Sequence, residues 1–347
     1  MGRECRSDWL DATRVLAICA VVVVHVAGIV INWEPVGSLN WWAGNLYESA
    51  SRWCVPVFVM VSGALLLDPG KQESLGEFYK KRLSRILIPT VFWSFLFIGY
   101  GVKLGIAPGK PEIGKVPLTP ELLLERIRLG EPHYHLWFLY MLVGLYLFTP
   151  FFRKIVAHCT RQELKVFTLA GLLIAGVSYL FGRYTHNPVN IFLAAFVYYI
   201  PCFFLGYLIK TSHRKIPSWV LGFGIAMGFL ATAVGFYKAT KSFGIEKGEY
   251  FYGYMSFNVV FMSCLLLFLF KEIRFSFLSQ PLRLFSSVVL GVYLVHPIFL
   301  DLLCAWGHGP LSRNRIFSIP LVSMAVLFLS FASVFLVSRV PYLRRVV

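Results

Sequence analysis

Ten long apolar segments constrain the fold of this chain more than any other feature of its sequence. A helix of about 20 apolar residues is long enough to cross the ~30 Å hydrocarbon core of a bilayer. The strands of a membrane β-barrel would alternate apolar and polar residues, whereas these segments are apolar on every side. The sequence therefore predicts transmembrane helices at Val15–Ile31, Leu46–Leu67, Ile86–Leu104, Leu136–Phe152, Val166–Phe181, Ile191–Ile209, Trp219–Phe236, Tyr252–Phe270, Leu284–Ala305 and Phe317–Val337.

The composition excludes a soluble protein. Hydrophobic residues make up 57% of the 347 residues and charged residues 14%, whereas soluble domains have about 45–50% and about 25%. We therefore predict an all-α, polytopic integral membrane protein with about ten transmembrane helices, forming a single domain over residues 1–347. A Pro- and Gly-rich connection, residues 105–132, is expected to be an extracytoplasmic loop with a short interfacial helix near residues 120–129.

The positive charge of the chain predicts its orientation. A net charge of +16 could suggest a nucleic-acid partner. However, most of the Lys and Arg residues lie in the connections on the N-terminal side of the predicted membrane, as the positive-inside rule requires. We therefore expect both termini in the cytoplasm, contact with membrane lipids and no nucleic acid. The first apolar run follows Asp8 and Asp11 and is expected to be a signal anchor rather than a cleaved signal peptide.

The first predicted helix carries two ionisable residues, Arg14 and His25. Eleven residues at 100° each make about 20° more than three turns, so both lie on one face, with His25 roughly 16 Å deeper. Asp11, three residues before Arg14, could orient the guanidinium group. Ionisable groups at membrane depth are costly and usually functional. The alternatives are an interfacial cation at Arg14 and, at His25, a buried imidazole bonded to a neighbouring helix.

Two further histidines lie in apolar surroundings. His296 precedes Pro297, which interrupts helical hydrogen bonding. His296 is therefore either functional or a partner for the carbonyl groups that the proline frees. His135 lies beside Trp137 at the start of the fourth predicted helix. A tryptophan there is typical of the aromatic belt, whereas the histidine is unusual and is a second candidate.

Charged residues near the predicted helix ends suggest two binding sites. Glu48 and Arg52 are spaced i, i+4 at the outer end of the second helix, which predicts a local ion pair or part of an acceptor site. At the inner end of the third helix, Lys81, Arg82 and Arg85 are either anchors to anionic lipid or a clamp for phosphate groups. The seven cysteines are scattered singly, so we predict neither a metal site nor a disulfide framework.

Five motifs, in this order, resemble the integral-membrane acyltransferase 3 family. They are Arg14 with His25, Val55-Pro56-Val57-Phe58 with Ser62-Gly63, the basic cluster before Pro89, His135-Leu136-Trp137-Phe138-Leu139, and Tyr293-Leu294-Val295-His296-Pro297. The stretch Ser49-Ala50-Ser51-Arg52 is most similar to the branch that O-acetylates enterobacterial common antigen. The family has an Arg-x-x-x-Arg pair where this chain has Lys81 and Arg85, with Arg82 as a possible substitute.

The resemblance implies a ten-helix transferase of the bacterial inner membrane. It would move an acetyl or other short acyl group from cytoplasmic acetyl-CoA to a hydroxyl of an extracytoplasmic glycan or lipid-linked sugar, without a metal. The roles expected from the resemblance together with the residue chemistry are catalysis by His25, Arg14, His296 and His135, binding of coenzyme A by Lys81, Arg82 and Arg85, and binding of the acceptor by Glu48, Arg52 and Trp137. The oligomeric state stays open.

Two other function classes remain at this point. One is a secondary transporter or flippase for a sugar or anionic substrate. Ion-coupled transporters often place carboxylates inside their spans, and this chain offers only Asp301 and the marginal Glu48. The other is a non-catalytic membrane subunit of a polysaccharide-export system.

Overall fold

The computed structural model describes residues 8–70, 73–104, 132–185, 195–275 and 278–347. Within these ranges the regular structure is helical throughout. The helices are α1 (Asp8–Trp33), α2 (Leu39–Ser51), α3 (Cys54–Leu66), α4 (Leu75–Phe78, continued by a π-helical turn at Tyr79–Leu83), α5 (Ser84–Leu104), α6 (Trp137–His158), α7 (Arg161–Thr185), α8 (Ala195–Lys210), α9 (Ser218–Phe243), α10 (Ile245–Gly248), α11 (Phe257–Glu272), α12 (Ser279–Ser287), α13 (Val289–Ala305) and α14 (Arg315–Ser338), with a final 3₁₀ turn at Leu343–Arg345. The loop predicted at 105–132, with its interfacial helix, lies outside the described residues except for Pro132.

The prediction of apolar membrane helices is confirmed, but the count of ten is not. Among the described residues, seven helices are long and apolar enough to cross a membrane, or eight if α12 and α13, bent by 63°, form one span. The spans predicted at 191–209 and 252–270 correspond to α8 and α11, each of 16 residues. The 16 residues of α11, which is described at both ends, make a helix of about 24 Å, shorter than the hydrocarbon core. Residues 191–194 lie outside the described ranges.

The predicted span Leu46–Leu67 corresponds to one candidate membrane span, Leu39–Leu66, in which a short break separates α2 from α3. The break falls at Arg52 and Trp53, between Ser51 and Cys54. As a result, Arg52 lies at the junction of two helices instead of on a continuous helical face.

The tightest helix crossing joins α3 to α8. A Cβ atom added to Gly63 would lie 1.8 Å from the Phe203 carbonyl oxygen, and one added to Gly206 would lie 1.8 Å from the Met60 carbonyl oxygen. Only residues without a side chain permit two backbones to approach this closely, as in other membrane helix pairs.

Cations cap the helix ends beside this crossing. Arg153 Nε donates to the Leu66 carbonyl at 2.6 Å, and Lys210 Nζ donates to the Ala64 carbonyl at 3.0 Å. The last four carbonyls of a helix lack intrahelical partners, and a cation also complements the helix dipole there. Part of the charge that predicted orientation therefore also stabilises helix ends. We call this end of the bundle, where α1 begins, the basic end, and the opposite end, where α1 terminates, the far end.

We predict that Gly63→Ala destabilises the protein. The new methyl group would overlap the α8 backbone, which must move, and overpacking of this kind costs about 1–3 kcal/mol or more. The measurement is the thermal unfolding midpoint of the purified protein in detergent.

Gly222→Ala, on α9, is the matched control because a Cβ there meets no atom within 4 Å. This change is expected to leave the midpoint unchanged or to raise it, since alanine favours helix over glycine. An unchanged midpoint in Gly63→Ala would contradict the close crossing.

Candidate active site

Four histidine side chains meet inside the bundle. His25 comes from α1, His296 from α13, and His133 and His135 from the turn that precedes α6. The rings of His25 and His296 stack with centroids 5.2 Å apart, and those of His135 and His296 meet edge to face at 5.4 Å. The structure thus brings together three of the four residues predicted to be catalytic.

The hydrogen bond of His296 determines its neutral tautomer. Its Nδ1 lies 2.7 Å from the Tyr293 carbonyl oxygen, which can only accept, so Nδ1 carries the hydrogen. Pro297, four residues after Tyr293, has no N–H to offer that carbonyl. The alternative in which His296 satisfies the carbonyl freed by Pro297 is therefore confirmed. It leaves Nε2 as an acceptor, buried and without a hydrogen-bond partner in the described part of the chain.

His133, which the sequence analysis did not single out, is coupled to His135. Their Nδ1 atoms lie 2.8 Å apart, so one must donate while the other accepts. Phe97 stacks on the His133 ring at 4.3 Å. Burial, together with the neighbouring imidazoles of His133 and His296, holds the pKa of His135 well below its usual range. His135 is therefore neutral at pH 7.

His25 differs from the other cluster members in its accessibility. Its imidazole is only partly buried, whereas His135 and His296 are almost completely buried. Its described partners are rings: His296, and Tyr134 at 5.0 Å. The structure therefore does not show the hydrogen bond to a neighbouring helix that was considered for a purely structural His25.

A cavity of about 460 Å³ opens at the far end of α1. It lies next to the histidine cluster, because Gly28 is one turn beyond His25 on α1 and also lines the cavity. A Cβ added to Gly28 would lie 3.7 Å from Glu48 Oε2. All three residues predicted to bind the acceptor line this cavity; the lining includes Glu48, Arg52, Trp137, Tyr199, Glu249 and Tyr252.

Arg52 is held in a stack of aromatic rings on the wall of this cavity. Its guanidinium carbon lies 4.4 Å from the ring centroid of Tyr252 and 5.4 Å from that of Tyr254. Tyr252 stacks on Phe236 at 3.8 Å, and Tyr254 stacks on Trp137 at 5.8 Å. Trp137 therefore faces the protein interior and is not part of an aromatic belt. Tyr252 and Tyr254 were not predicted to be site residues, although the sequence has an aromatic run at residues 250–254.

Glu48 is the charged partner of Arg52. It forms an ion pair with the Arg52 Nη2 atom, which confirms the local pair expected from the i, i+4 spacing. Glu48 is 3% exposed, and its Oε2 has no hydrogen-bond partner among the residues described. The pair thus keeps one acceptor, Glu48 Oε2, and one donor, Arg52 Nε, buried and unused.

Arg14 lies apart from the histidine cluster, toward the basic end. Its Nη1 donates to Ser286 Oγ at 2.9 Å, and Ser286 in turn donates to Asp11 at 2.7 Å. The Asp11 carboxylate is 3.9 Å from Arg14, so it orients the guanidinium group directly and through Ser286. Eleven residues of continuous helix, about 16 Å, separate Arg14 from His25.

The predicted basic cluster is partly neutralised. Glu73 pairs with Lys81 at 3.3 Å, with Arg82 at 4.0 Å and with Arg153 at 3.2 Å. Although burial opposes it, hydrogen bonds from Arg153 and Lys81 and the charge of Arg82 lower the pKa of the Glu73 carboxyl group. Arg85 is exposed. The sequence analysis missed Glu73 and Arg153, which lie outside the basic run.

The helix that carries this cluster begins earlier than predicted. Ser74 and Glu77 form a capping box at its start, eleven residues before the Ile86 boundary, because this first turn is polar and not apolar. Tyr146, on α6, lies within electrostatic range of Arg14, Arg82 and Arg85. Charges from two separate segments, α1 and the basic cluster, therefore act on one partly buried side chain.

In the described ranges, no group of three or more His, Cys, Asp or Glu side chains is arranged to hold a metal ion. A family model described as an acyltransferase domain matches residues 7–339 of the chain. No curated protein and no solved structure matches it.

We predict that neutral His296 carries its hydrogen on Nδ1, because the Tyr293 carbonyl can bond no other form. The measurement is the pair of ¹⁵N chemical shifts of histidine-labelled protein in lipid at pH 7.5, with the His296 signals assigned by their loss in His296→Gln. Shifts of an Nε2-protonated ring at this site would contradict the hydrogen bond to Tyr293.

Proposed function

We propose that this chain, which belongs to the acyltransferase 3 family, moves an acetyl group from cytoplasmic acetyl-CoA to a hydroxyl of an extracytoplasmic glycan or lipid-linked sugar. One observation carries the proposal. On α1, His25 lies between an end where several cations cluster around Glu73 and a cavity lined by aromatic rings and carboxylates. A proton-accepting group thus separates two sites that suit chemically different substrates.

The basic end suits the donor. Coenzyme A carries several phosphate charges, and arginine binds phosphate oxygens through two parallel hydrogen bonds. The charges of Arg82, Arg85 and Arg14 all act on Tyr146, and these arginines would guide the donor from its phosphates toward its thioester. With the N-terminus in the cytoplasm, as the charge distribution predicts, this end faces the cytoplasmic pool of acetyl-CoA.

The cavity suits a sugar. Sugar rings present apolar C–H faces and hydroxyl edges, and binding sites of this kind combine aromatic walls with a few placed polar groups. Trp137 and Tyr199 supply such walls, and Glu48 Oε2 offers an acceptor for a hydroxyl group. The sequence motif around Arg52 favours enterobacterial common antigen as the glycan, and the bacterial inner membrane as the location.

The histidine cluster suits proton transfer between these substrates. A neutral imidazole can accept the proton of an attacking hydroxyl group at neutral pH. His25 is the accessible member of the cluster and serves as this base. His296 stacks on His25 with its Nε2 free to accept a hydrogen bond, and neutral His135 packs against His296.

We predict that His25→Ala lowers the turnover of acetyl-CoA by about 10²-fold or more, the usual scale for loss of a general base. The measurement is the rate of coenzyme A release by the purified variant with a glycan acceptor. His213→Ala, an exposed histidine in the connection between α8 and α9, is the control and should keep wild-type activity. Wild-type turnover by His25→Ala would exclude His25 as the base.

We predict that replacing Arg82 and Arg85 by Gln raises the KM for acetyl-CoA by roughly tenfold or more, the scale of one lost charge-assisted hydrogen bond. Glu73→Gln should lower this KM, because it frees Lys81, Arg82 and Arg153 from a competing carboxylate. The measurement is steady-state kinetics at several salt concentrations, since salt screens exposed charges.

The control for this series replaces Lys154 and Lys215 by Gln. Both lysines are exposed at the basic end, Lys154 on α6 and Lys215 in the connection between α8 and α9, so the control removes the same charge without touching the cluster. A KM that is unchanged in the Arg82 and Arg85 double variant would show that the cluster is a membrane anchor.

A further inference from the structure

We infer that Arg52 is a catalytic residue that stabilises the oxyanion formed during acyl transfer, with Glu48, Tyr252 and Tyr254 as its positioning residues. This inference rests on the proposed function, because it assigns a role within that reaction. Arg52 was expected from the sequence only to bind the acceptor, whereas this inference gives it a role in the reaction itself.

The hydrogen bonds of Arg52 leave one donor unused. Its Nη2 atom is committed to Glu48. Its Nε atom is buried and has no hydrogen-bond partner in the ranges that the structure describes. A buried donor without a partner lowers the stability of the protein. The presence of such a donor on a cavity wall therefore indicates that it bonds to substrate.

The surroundings of Arg52 fix its orientation before substrate arrives. The guanidinium carbon of Arg52 lies over the rings of Tyr252 and Tyr254, and Phe236 and Trp137 support these two rings. A donor held in this way need not reorganise when charge develops, which is the property that makes oxyanion stabilisation effective.

The location of Arg52 matches the place where the charge develops. The carbonyl carbon must be attacked beside His25, and Arg52 lines the same cavity as Gly28, which lies one turn beyond His25 on α1. Arg14 is the other cation of the predicted catalytic set, but about 16 Å of helix separates it from His25. Arg14 therefore cannot bond to an oxygen of the same reacting carbon.

Acyl transfer at this site forms one C–O bond and breaks one C–S bond. The acceptor hydroxyl gives its proton to the His25 imidazole while its oxygen bonds to the thioester carbon. The carbonyl electron pair moves to oxygen, and the Arg52 Nε–H donates to this oxyanion. Collapse re-forms the carbonyl and breaks the C–S bond, and the leaving thiolate takes the proton from the His25 imidazolium.

The experiment separates this role from acceptor binding by omitting the glycan. Purified protein in lipid nanodiscs receives acetyl-CoA with water, or with methanol as a minimal hydroxyl acceptor, and released coenzyme A is measured by chromatography. We expect Arg52→Lys to lower this release by about 10²-fold with an unchanged KM for acetyl-CoA. In Arg52→Ala, methylguanidinium should restore release, whereas methylammonium, of equal charge, should not.

Arg315→Lys is the matched control. Arg315 pairs with Glu34 at 2.6 Å and has an exposure similar to that of Arg52, 18% against 16%, but it does not line the cavity. This variant should keep wild-type release. Tyr254→Leu keeps both Arg52 and Glu48 in the sequence but removes one ring that positions the guanidinium group. It should lower release by about tenfold to 10²-fold, because the guanidinium group is then misplaced.

Two results overturn the inference in distinguishable ways. In the first result, the wild type releases coenzyme A with water or methanol, and Arg52→Lys and Tyr254→Leu release it at the same rate. If these two variants lose activity only with the glycan, Arg52 binds the acceptor and does not stabilise the oxyanion. If the wild type itself turns over no acetyl-CoA with water, methanol or glycan, the proposed function fails and the role of Arg52 fails with it.

Discussion

The crossing of α3 and α8 at Gly63 and Gly206 is the contact on which the geometry of the site depends. It brings the two backbones to a separation that no side chain at either glycine would permit. Arg52 lies just before α3, and Tyr199 lies on α8, so the crossing determines how far apart two walls of the cavity stand. Cations from α6 and α8 then cap carbonyls at the end of α3 and hold the crossing in place.

Proline and histidine cooperate at the centre of the molecule. Pro297 removes a backbone donor, and His296 supplies the missing one to Tyr293 through Nδ1. This local repair also leaves Nε2 available in a buried site beside His25. A structural role and a chemical role therefore coexist in one side chain.

The two charge clusters of the protein are organised in opposite ways. Around Arg52, one cation is paired with one buried carboxylate and enclosed by aromatic rings, which favours a fixed geometry. Around Glu73, three cations share one carboxylate at a more exposed site, which leaves an excess of positive charge for an anion. The first arrangement suits the orientation of a reacting group, and the second suits the capture of a polyanion.

The sequence by itself determined the properties that depend on neighbouring residues. Apolar length predicted membrane helices, helical spacing predicted the Glu48–Arg52 ion pair, and Pro297 predicted the bond that His296 makes to its own helix. The same local patterns could not predict the short break between α2 and α3 at Arg52, or that α11 is only 16 residues long.

Only the tertiary structure decided which distant segments meet. The four histidines come from three separate parts of the chain, and Ser286 reaches Arg14 across 272 positions. The aromatic rings that contact Arg52 come from segments whose own sequence patterns show no link to Arg52. The same is true of Glu73 and Arg153 and the basic cluster that they join. Such contacts arise because helices pack by the shape of their whole surfaces, which spacing within one helix does not encode.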